Sequence, residues 1–372
     1  MPKNIVICCD GTGNEFSGDC NSNVVNLYST LIINDAQVGY YHPGVGTMGA
    51  PTARTWLEKE WSRLKGLAFG AGLTANTADA YRYLMGAYAE GDHVYLFGFS
   101  RGAYTARALA GVLHMYGLLC PGNDGLIPYV MRMFARRTRE AAGMRETLEV
   151  AEYFKATFSR TVSIHFVGIW DTVSSVGWVY NPIVLPFSAR NPDIRTGRHA
   201  VSIDERRCYY RQNLWGAPFE HQDIKQVWFA GVHSDVGGSY PEKESGLSKV
   251  ALEWMLHEAE CAGLKIDHKK ALTVLGRLPS SEPWQPEYVQ PDPDAKIHPS
   301  LHGLWWILEY LPHRYVDLRS GAPVVRWRVP RGAHRHIPQN SAIYEPASPR
   351  VKKWDASFRE EPAVGFPTEI YG

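Results

Sequence analysis

The chain has 372 residues, of which 45% are hydrophobic and 21% are charged, as is ordinary for a globular protein with a sizeable core. It contains 39 Lys and Arg residues and 38 Asp and Glu residues, which give a formal net charge of +1. This near-neutral charge excludes a general attraction to nucleic acid or to anionic membranes, so we expect no nucleic-acid partner.

The first apolar run covers only residues 5–9, which is too short for a signal peptide. The most apolar later stretch, residues 301–311, is too short to span a bilayer. The six cysteines show no CxxC spacing, so we expect reduced thiols and no zinc or redox motif. The expected protein is cytoplasmic as synthesised and has no metal or cofactor.

Strands and helices alternate along the sequence. Asn4–Cys9 is a continuous apolar, β-branched run, typical of a buried parallel strand. Further strands are predicted at residues 38–42, 93–97, 162–169 and 226–232. Helices are predicted at residues 23–33, 76–89, 103–118 and 247–261. This alternation predicts an α/β fold with a mostly parallel sheet and helices on both faces.

Three segments interrupt or follow this pattern. Residues 121–158 are rich in Arg and Glu and are predicted to form a helical insertion. Residues 178–200 hold three prolines among apolar residues, and we expect a lid or substrate-side loop there. Beyond residue 275 the chain is Pro-rich and less periodic. A catalytic domain is therefore expected over residues 1–275, and an irregular accessory segment over residues 276–372.

The segment from Gly98 to Gly102, GFSRG, has the GxSxG pattern of a nucleophile on a sharp turn between a strand and a helix. Side chains at its two glycine positions would collide with the neighbouring strand and helix. The helix N-terminus also points at the negative charge that develops during acyl transfer. We therefore predict that Ser100 is the nucleophile of a serine hydrolase. In the alternative interpretation, Ser100 only caps the helix.

A serine nucleophile needs a general base, and the base needs an acid that orients it. In this fold the acid and then the histidine follow the serine, each at the carboxyl end of a later strand. Asp171 and His233 end the fourth and fifth predicted strands, so we expect both at the same sheet edge as Ser100. Asp171 could instead cap a turn, and Asp235 is the rival acid. The reserve candidates for the base are His199, His298, His302, His334 and His336.

The oxyanion hole is predicted to use the backbone N–H of Arg101, the residue after the nucleophile. The loop after the first strand, residues 10–14, is placed to supply a second donor. Thr12 is the preferred donor, because Gly11 and Gly13 free the backbone to turn inward. This loop lacks the lysine and the length of a phosphate-binding P-loop.

Other residues of these loops are expected to support the site. They are Asp10, Gly11, Gly13, Gly98, Gly102 and Asp235. A hard cation held by Asp10, Asp171 and Asp235 remains a minor alternative, since carboxylate-rich loops bind such ions. No metal is included in the preferred interpretation.

Six ordered segments are more specific than GxSxG alone. They are CDGTGN from Cys9, HPGVGT from His42, GFSRGAYTAR from Gly98, GIWDTVSSVG from Gly168, HAVSIDERR from His199 and VWFAGVHSDVGGSY from Val227. Together they resemble the α/β-hydrolase family of type VI secretion phospholipase effectors and their uncharacterised relatives, over residues 4–260. The resemblance implies phospholipid ester hydrolysis through an acyl-enzyme, with a triad of Ser100, Asp171 and His233. It also implies type VI delivery and a delivery or immunity protein as partner.

Two other functions stay open at this point. The same triad could act on a soluble ester, a thioester or an acylated glycan, or the chain could be a non-catalytic binding module on a hydrolase scaffold. Residues 178–188 and the pair Trp305-Trp306 could make a peripheral contact with a lipid interface. For Trp305-Trp306, packing of a helix against the core is the favoured interpretation.

Overall fold

The computed structural model describes residues 2–11, 19–44, 70–135, 141–173, 177–178, 181–182, 185–280, 282–283, 285–303, 305–317, 324–347, 359–362 and 366. Within these ranges, eight strands form one sheet in which every neighbouring pair is parallel. The strands are β1 (Asn4–Cys9), β2 (Gln37–His42), β3 (His93–Phe99), β4 (Ile164–Trp170), β5 (Ile194–Ser202), β6 (Asp223–Phe229), β7 (Ala342–Tyr344) and β8 (Arg359–Glu361). Their order across the sheet is β8-β7-β6-β5-β4-β3-β1-β2.

Helices cover both faces of the sheet. The described helices are α1 (Asn23–Ser29), α2 (Gly70–Ala87), α3 (Arg101–Tyr116), α4 (Ile127–Ala135), α5 (Ala141–Phe158), α6 (His233–Gly237), α7 (Gly246–Cys261), α8 (His268–Val274) and α9 (Trp305–Glu309). Side chains from α2 to α5 share one buried cluster, and those from α1, α7 and α8 share another. The fold is α/β-hydrolase-like, as the alternating pattern predicts.

The first strand shows why its sequence is apolar throughout. Ile5 and Ile7 belong to the cluster on one face of the sheet, while Val6 and Cys8 belong to the cluster on the other. All four side chains are fully buried, because successive residues of a strand point to opposite faces and both faces carry helices here. Because both faces of such a strand are buried, its sequence lacks the alternation of apolar and polar residues.

The prediction of a lid over residues 178–200 is wrong for residues 194–200, which lie in the central strand β5. This strand was hidden because polar side chains interrupt its apolar pattern. Arg198 is buried and donates from Nε to Glu258 Oε2 over 2.5 Å. His199 is also fully buried, and its Nε2 accepts from the backbone N–H of Thr172 over 3.2 Å. Residues 177–178 pair with 181–182 as a short antiparallel ribbon.

The segment after residue 275 contributes to the main sheet. β7 pairs with β6 in parallel, with Trp228 opposite Ile343, and both side chains are buried in one apolar cluster. β8 then adds to the free edge of β7. Residues His313–Asp317 and Val324–Arg328 form a separate antiparallel hairpin. Strand β7 of this segment is therefore packed into the core at one edge of the sheet.

Candidate active site

Ser100 lies on a strained turn between β3 and α3. Its φ is 59° and its ψ is −119°, a combination that residues other than glycine rarely adopt. A Cβ on Gly98 would lie 2.5 Å from the carbonyl oxygen of Gly102 and 2.6 Å from the amide nitrogen of Ala103. The strand and the helix therefore meet with no room for a side chain, and the turn holds the Ser100 hydroxyl at the carboxyl edge of the sheet.

His233 begins the short helix α6, just after β6, and its side chain reaches Ser100. Nε2 of the imidazole lies 2.8 Å from Ser100 Oγ, and Nδ1 lies 2.5 Å from Asp171 Oδ2. An ionised carboxylate only accepts hydrogen bonds, so Nδ1 donates to it and Nε2 is left to accept from the hydroxyl. The rings of Phe99 and Tyr210 enclose the imidazole, with centroids 4.6 and 4.8 Å away.

Asp171 follows β4 directly and has a positive φ of 38°. Its side chain is fully buried, and its Oδ1 accepts from the backbone N–H of Ser202 over 3.0 Å. Because β3, β4 and β6 are parallel, their carboxyl ends meet at one edge of the sheet. This topology brings together Ser100, Asp171 and His233.

Burial and charge set the protonation of this group. Burial opposes ionisation of Asp171, but the Arg335 charge and the His233 hydrogen bond outweigh it and hold the carboxyl pKa well below its usual range. Burial lowers the pKa of His233, and the hydrogen bond and charge of Asp171 offset only part of that shift. At neutral pH the site therefore holds a carboxylate and a neutral imidazole, the states in which a histidine can accept a hydroxyl proton.

Residues 3–258 match the family model of the catalytic domain of Tle1-like phospholipase effectors of type VI secretion systems. The chain belongs to this family. The resemblance of the six sequence segments is thereby confirmed. An uncharacterized protein of Saccharomyces cerevisiae is 35% identical in an alignment of 220 residues, and the match covers 56% of this chain and 32% of that protein. The chain thus spans about a third of the length of this curated relative.

Two solved structures are also similar to this Tle1-like chain. An uncharacterized protein from Pseudomonas aeruginosa aligns with a TM-score of 0.40 and 20% identity, over 71% of this chain and 46% of that chain. The Tle1 effector bound to the VgrG spike of the type 6 secretion system aligns with a TM-score of 0.38 and 18% identity, over 66% and 52% of the two chains.

The loop after β1 lies against the turn that carries Ser100, since a Cβ on Gly102 would be 2.6 Å from the Asp10 carbonyl oxygen. Asp10 is buried, and its carboxylate accepts from Gly11 N over 2.6 Å, Ser22 Oγ over 2.5 Å and Tyr41 Oη over 2.9 Å. The carboxylate of Asp10 thus shapes the loop. Arg101, the other predicted source of an oxyanion donor, is the first residue of α3. Thr12 and Gly13, the remaining predicted loop residues, lie outside the described residues.

Asp235, the rival acid, bonds to another histidine. Its Oδ1 lies 2.6 Å from Nδ1 of His298, and its Oδ2 accepts from the backbone N–H of Val232 over 3.0 Å. Nε2 of His298 lies 3.0 Å from Glu244 Oε2. Asp235 and His298 therefore form a separate pair that ties the start of α6 to the segment after residue 275. Among the described residues, no cluster of three or more His, Cys, Asp or Glu side chains has the geometry of a metal site.

Sequence reasoning missed Glu205, which holds the backbone of His233. Glu205 is fully buried, and its Oε2 accepts from the backbone N–H of His233 over 3.2 Å. Arg207 Nη2 donates to the same oxygen over 2.8 Å, and its guanidinium lies 3.8 Å from the centre of the Tyr210 ring. Glu205 and Arg207 belong to the HAVSIDERR segment, so this motif was visible although its role was not.

Sequence reasoning also missed Arg335, whose guanidinium contacts the carboxylate of Asp171. Nη1 donates to Asp171 Oδ1 over 2.5 Å, and Nη2 donates to Asp171 Oδ2 over 3.0 Å. Arg335 lies beyond the residues that the family model matches. No local motif surrounds it, so only the folded chain reveals the contact.

The two tryptophans of α9 differ in their surroundings. Trp305 is buried and packs edge-on against Tyr210, with ring centroids 5.7 Å apart, as the packing interpretation expects. Trp306 is 38% exposed. Other exposed apolar side chains lie in α9 or directly after it, and together with Trp306 we call them the aromatic patch: Trp306, Ile307, Tyr310 and Leu311. No helix in the described part of the chain combines the length and apolarity that a membrane span requires.

Proposed function

We propose that this chain is a serine hydrolase that cleaves carboxylic ester bonds of lipids, with Ser100 as nucleophile, His233 as general base and Asp171 as its orienting acid. The observation that carries the proposal is the continuous hydrogen-bonded path from Ser100 Oγ through the His233 ring to Asp171, with steps of 2.8 and 2.5 Å. The strained turn at Ser100 supports it, because that backbone is costly and persists at functional sites.

The proposed reaction has two half-reactions. His233 Nε2 takes the hydroxyl proton while Ser100 Oγ attacks the acyl carbonyl, and Asp171 stabilises the resulting imidazolium. The N–H of Arg101, with Thr12 as the preferred second donor, binds the oxyanion. His233 then protonates the departing alcohol and leaves an acyl-enzyme. Water, deprotonated by His233, attacks this ester, and the collapse of that intermediate releases the carboxylic acid and restores Ser100.

Two features support a lipid rather than a soluble ester. The chain is a member of a phospholipase effector family, and the aromatic patch exposes Trp, Tyr and aliphatic side chains that suit a lipid–water interface. α9 links the patch to the site, because buried Trp305 contacts Tyr210 and Tyr210 contacts the His233 ring. We propose that the patch rests on a lipid surface while substrate enters beside Tyr210.

Delivery by a type VI secretion system, with a spike or immunity protein as partner, follows from family membership and belongs to the same proposal. A triad acting on a soluble acylated compound is the competing function. Equal rates on phospholipid vesicles and on short monomeric esters would favour that competitor, whereas the lipid proposal expects faster turnover at the vesicle surface.

The decisive experiment incubates bacterial lipid extracts with the wild type, Ser100→Ala and Ser29→Ala, followed by mass spectrometry. Ser29 is an exposed serine at the end of α1 and serves as the matched control. We expect free fatty acid with the wild type and the control, and a loss on the order of 10⁵-fold with Ser100→Ala. A fluorophosphonate should label the wild type at Ser100. Undiminished hydrolysis by Ser100→Ala would overturn the triad assignment.

A further inference from the structure

The Asp171 carboxylate is held from two sides. Oδ2 lies 2.5 Å from His233 Nδ1 and 3.0 Å from Arg335 Nη2, while Oδ1 accepts from Ser202 N–H and from Arg335 Nη1. The guanidinium therefore spans both carboxylate oxygens, which is the fork geometry that fixes the carboxylate plane. A triad needs only one carboxylate oxygen to bind its histidine. The contact of Arg335 with both oxygens of Asp171 therefore exceeds what the triad itself requires.

Arg335 is itself held firmly. Nη1 also donates to Ser202 Oγ over 2.7 Å and to the Ser202 carbonyl over 3.1 Å, and Nη2 donates to the carbonyl of Tyr210. The side chains of Arg335 and Asp171 are 5% and 0% exposed. In such surroundings the ion pair is poorly screened, so the charge of Arg335 acts strongly on the site.

The cation changes what Asp171 does for the imidazole. A lone buried carboxylate would stabilise imidazolium with its full charge, whereas a carboxylate already paired with a guanidinium attracts it less. The charged and titratable groups around His233 come from several elements: Asp171 after β4, Glu205, Arg207 and Tyr210 after β5, Asp235 on α6 itself, and Arg335. Glu205 is paired with Arg207 as Asp171 is with Arg335, and Asp235 bonds to His298.

We propose that Arg335 is a positioning residue of the triad. It fixes the orientation of Asp171, and it keeps the His233 imidazole neutral down to a lower pH than Asp171 alone would allow. The inference rests on the proposed function and deepens it. It also assigns a role in catalysis to the segment after residue 275, although the family model ends at residue 258. The completed site is thus built from two distant parts of the chain.

The test compares Arg335→Met, Arg335→Lys and a matched control, Arg206→Met. Arg206 tethers the same segment, since its Nε donates to the Gly332 carbonyl over 2.7 Å, but it does not bond to Asp171. Rates on a short monomeric nitrophenyl ester are measured from pH 5 to pH 9, with thermal unfolding alongside. NMR follows the titration of the His233 ring in each protein.

Loss of the cation in Arg335→Met should move the NMR titration midpoint of His233 about one pH unit higher. The acid limb of the pH profile of kcat/KM should move by the same amount. Misplacement of Asp171 should lower kcat by about tenfold or more, with little change in KM. Arg335→Lys should keep the acid limb but lose part of kcat, because one ammonium cannot span both oxygens. Guanidinium added to Arg335→Met should restore part of kcat, and Arg206→Met should match the wild type.

An unmoved His233 titration and unchanged kcat in folded Arg335→Met would overturn the inference. If Arg335→Met does not fold, Arg335→Lys decides, since wild-type kcat in that variant would overturn it as well. Failure of the proposed function looks different: the wild type would hydrolyse no ester and would not react with a fluorophosphonate. The NMR titration would still report the effect of Arg335 on His233 in that case.

Discussion

Gly102 lies so close to Cys9 that a Cβ added to it would overlap the Cys9 carbonyl oxygen and lie 2.6 Å from that of Asp10. Both neighbours are backbone atoms, which cannot rotate away as a side chain can. The start of α3 and the end of β1 are thus locked together at the position where Ser100 is presented. Glycine at position 102 follows from packing against β1, and glycine at position 98 from packing against α3.

Gly102→Ala should therefore destabilise the protein by about 3 kcal/mol through overpacking and should lower esterase activity in the fraction that folds. Gly86→Ala is the matched control, because Gly86 is exposed near the end of α2 and a Cβ there would meet nothing within 4 Å. The control should be neutral or stabilising by up to about 1 kcal/mol. Urea unfolding measures both changes, and equal stability of the two variants would contradict the packing explanation.

The two candidate acids should differ sharply on substitution. Asp171→Asn should lower kcat by about 10⁴-fold, because an amide facing Nδ1 favours the wrong imidazole tautomer. Asp235→Asn should cost less than tenfold in kcat, since Asp235 bonds to His298 and the Val232 N–H rather than to His233. Steady-state kinetics on a monomeric ester tests the pair. A larger loss with Asp235→Asn would make it the acid of the triad.

His199 should make the protein sensitive to acid. Burial, with a smaller contribution from the Arg107 charge, lowers the pKa of His199 to about 3. The unfolded chain therefore binds this proton first as pH falls, so stability is complete above the unfolded pKa of about 6.5 and declines below it. Between pH 7 and pH 5 the expected loss is about 2 kcal/mol from this group.

His199→Gln removes the titration, although it retains a side chain that can accept from the Thr172 N–H. Its free energy of unfolding should change less between pH 7 and pH 5 than that of the wild type, by about 2 kcal/mol. Asp171 does not obscure this window, because the stability linked to its lowered pKa is lost only at more acidic pH. Urea unfolding of both proteins at pH 7 and pH 5 provides the measurement. An identical pH dependence of their unfolding free energies would refute the role of His199 in acid sensitivity.

The aromatic patch should be required for binding to membranes but not for hydrolysis of a monomeric ester. In a Ser100→Ala background, adding Trp306→Ser and Ile307→Ser should reduce flotation with phosphatidylcholine vesicles at least about tenfold, because each side chain buries apolar area at the interface. In the active protein, the same pair should leave the rate on a monomeric ester unchanged. Tyr153→Ser on α5 is the control, since Tyr153 is 77% exposed but lies outside the patch. Equal losses with this control would show that the patch has no special role.

The juxtaposition of Ser100, Asp171 and His233 could be predicted because each follows an apolar strand, and parallel strands end at a common edge. Strand β5 could not be read in the same way, since Arg198 and His199 are polar yet buried with satisfied partners. Glu205 had a motif but no apparent role. Arg335 had neither, because its contact with Asp171 depends on how a distant segment packs against β6.

Arg335 is synthesised well after Ser100, Asp171 and His233, because it lies much later in the chain. A ribosome extends a chain by about 5–20 residues per second, so roughly 5–20 s separate the emergence of His233 from that of Arg335. During that interval the nascent polypeptide holds the hydroxyl, the imidazole and the carboxylate without the guanidinium that contacts the carboxylate. The proposed triad and its proposed positioning residue are therefore complete only after translation has passed that arginine.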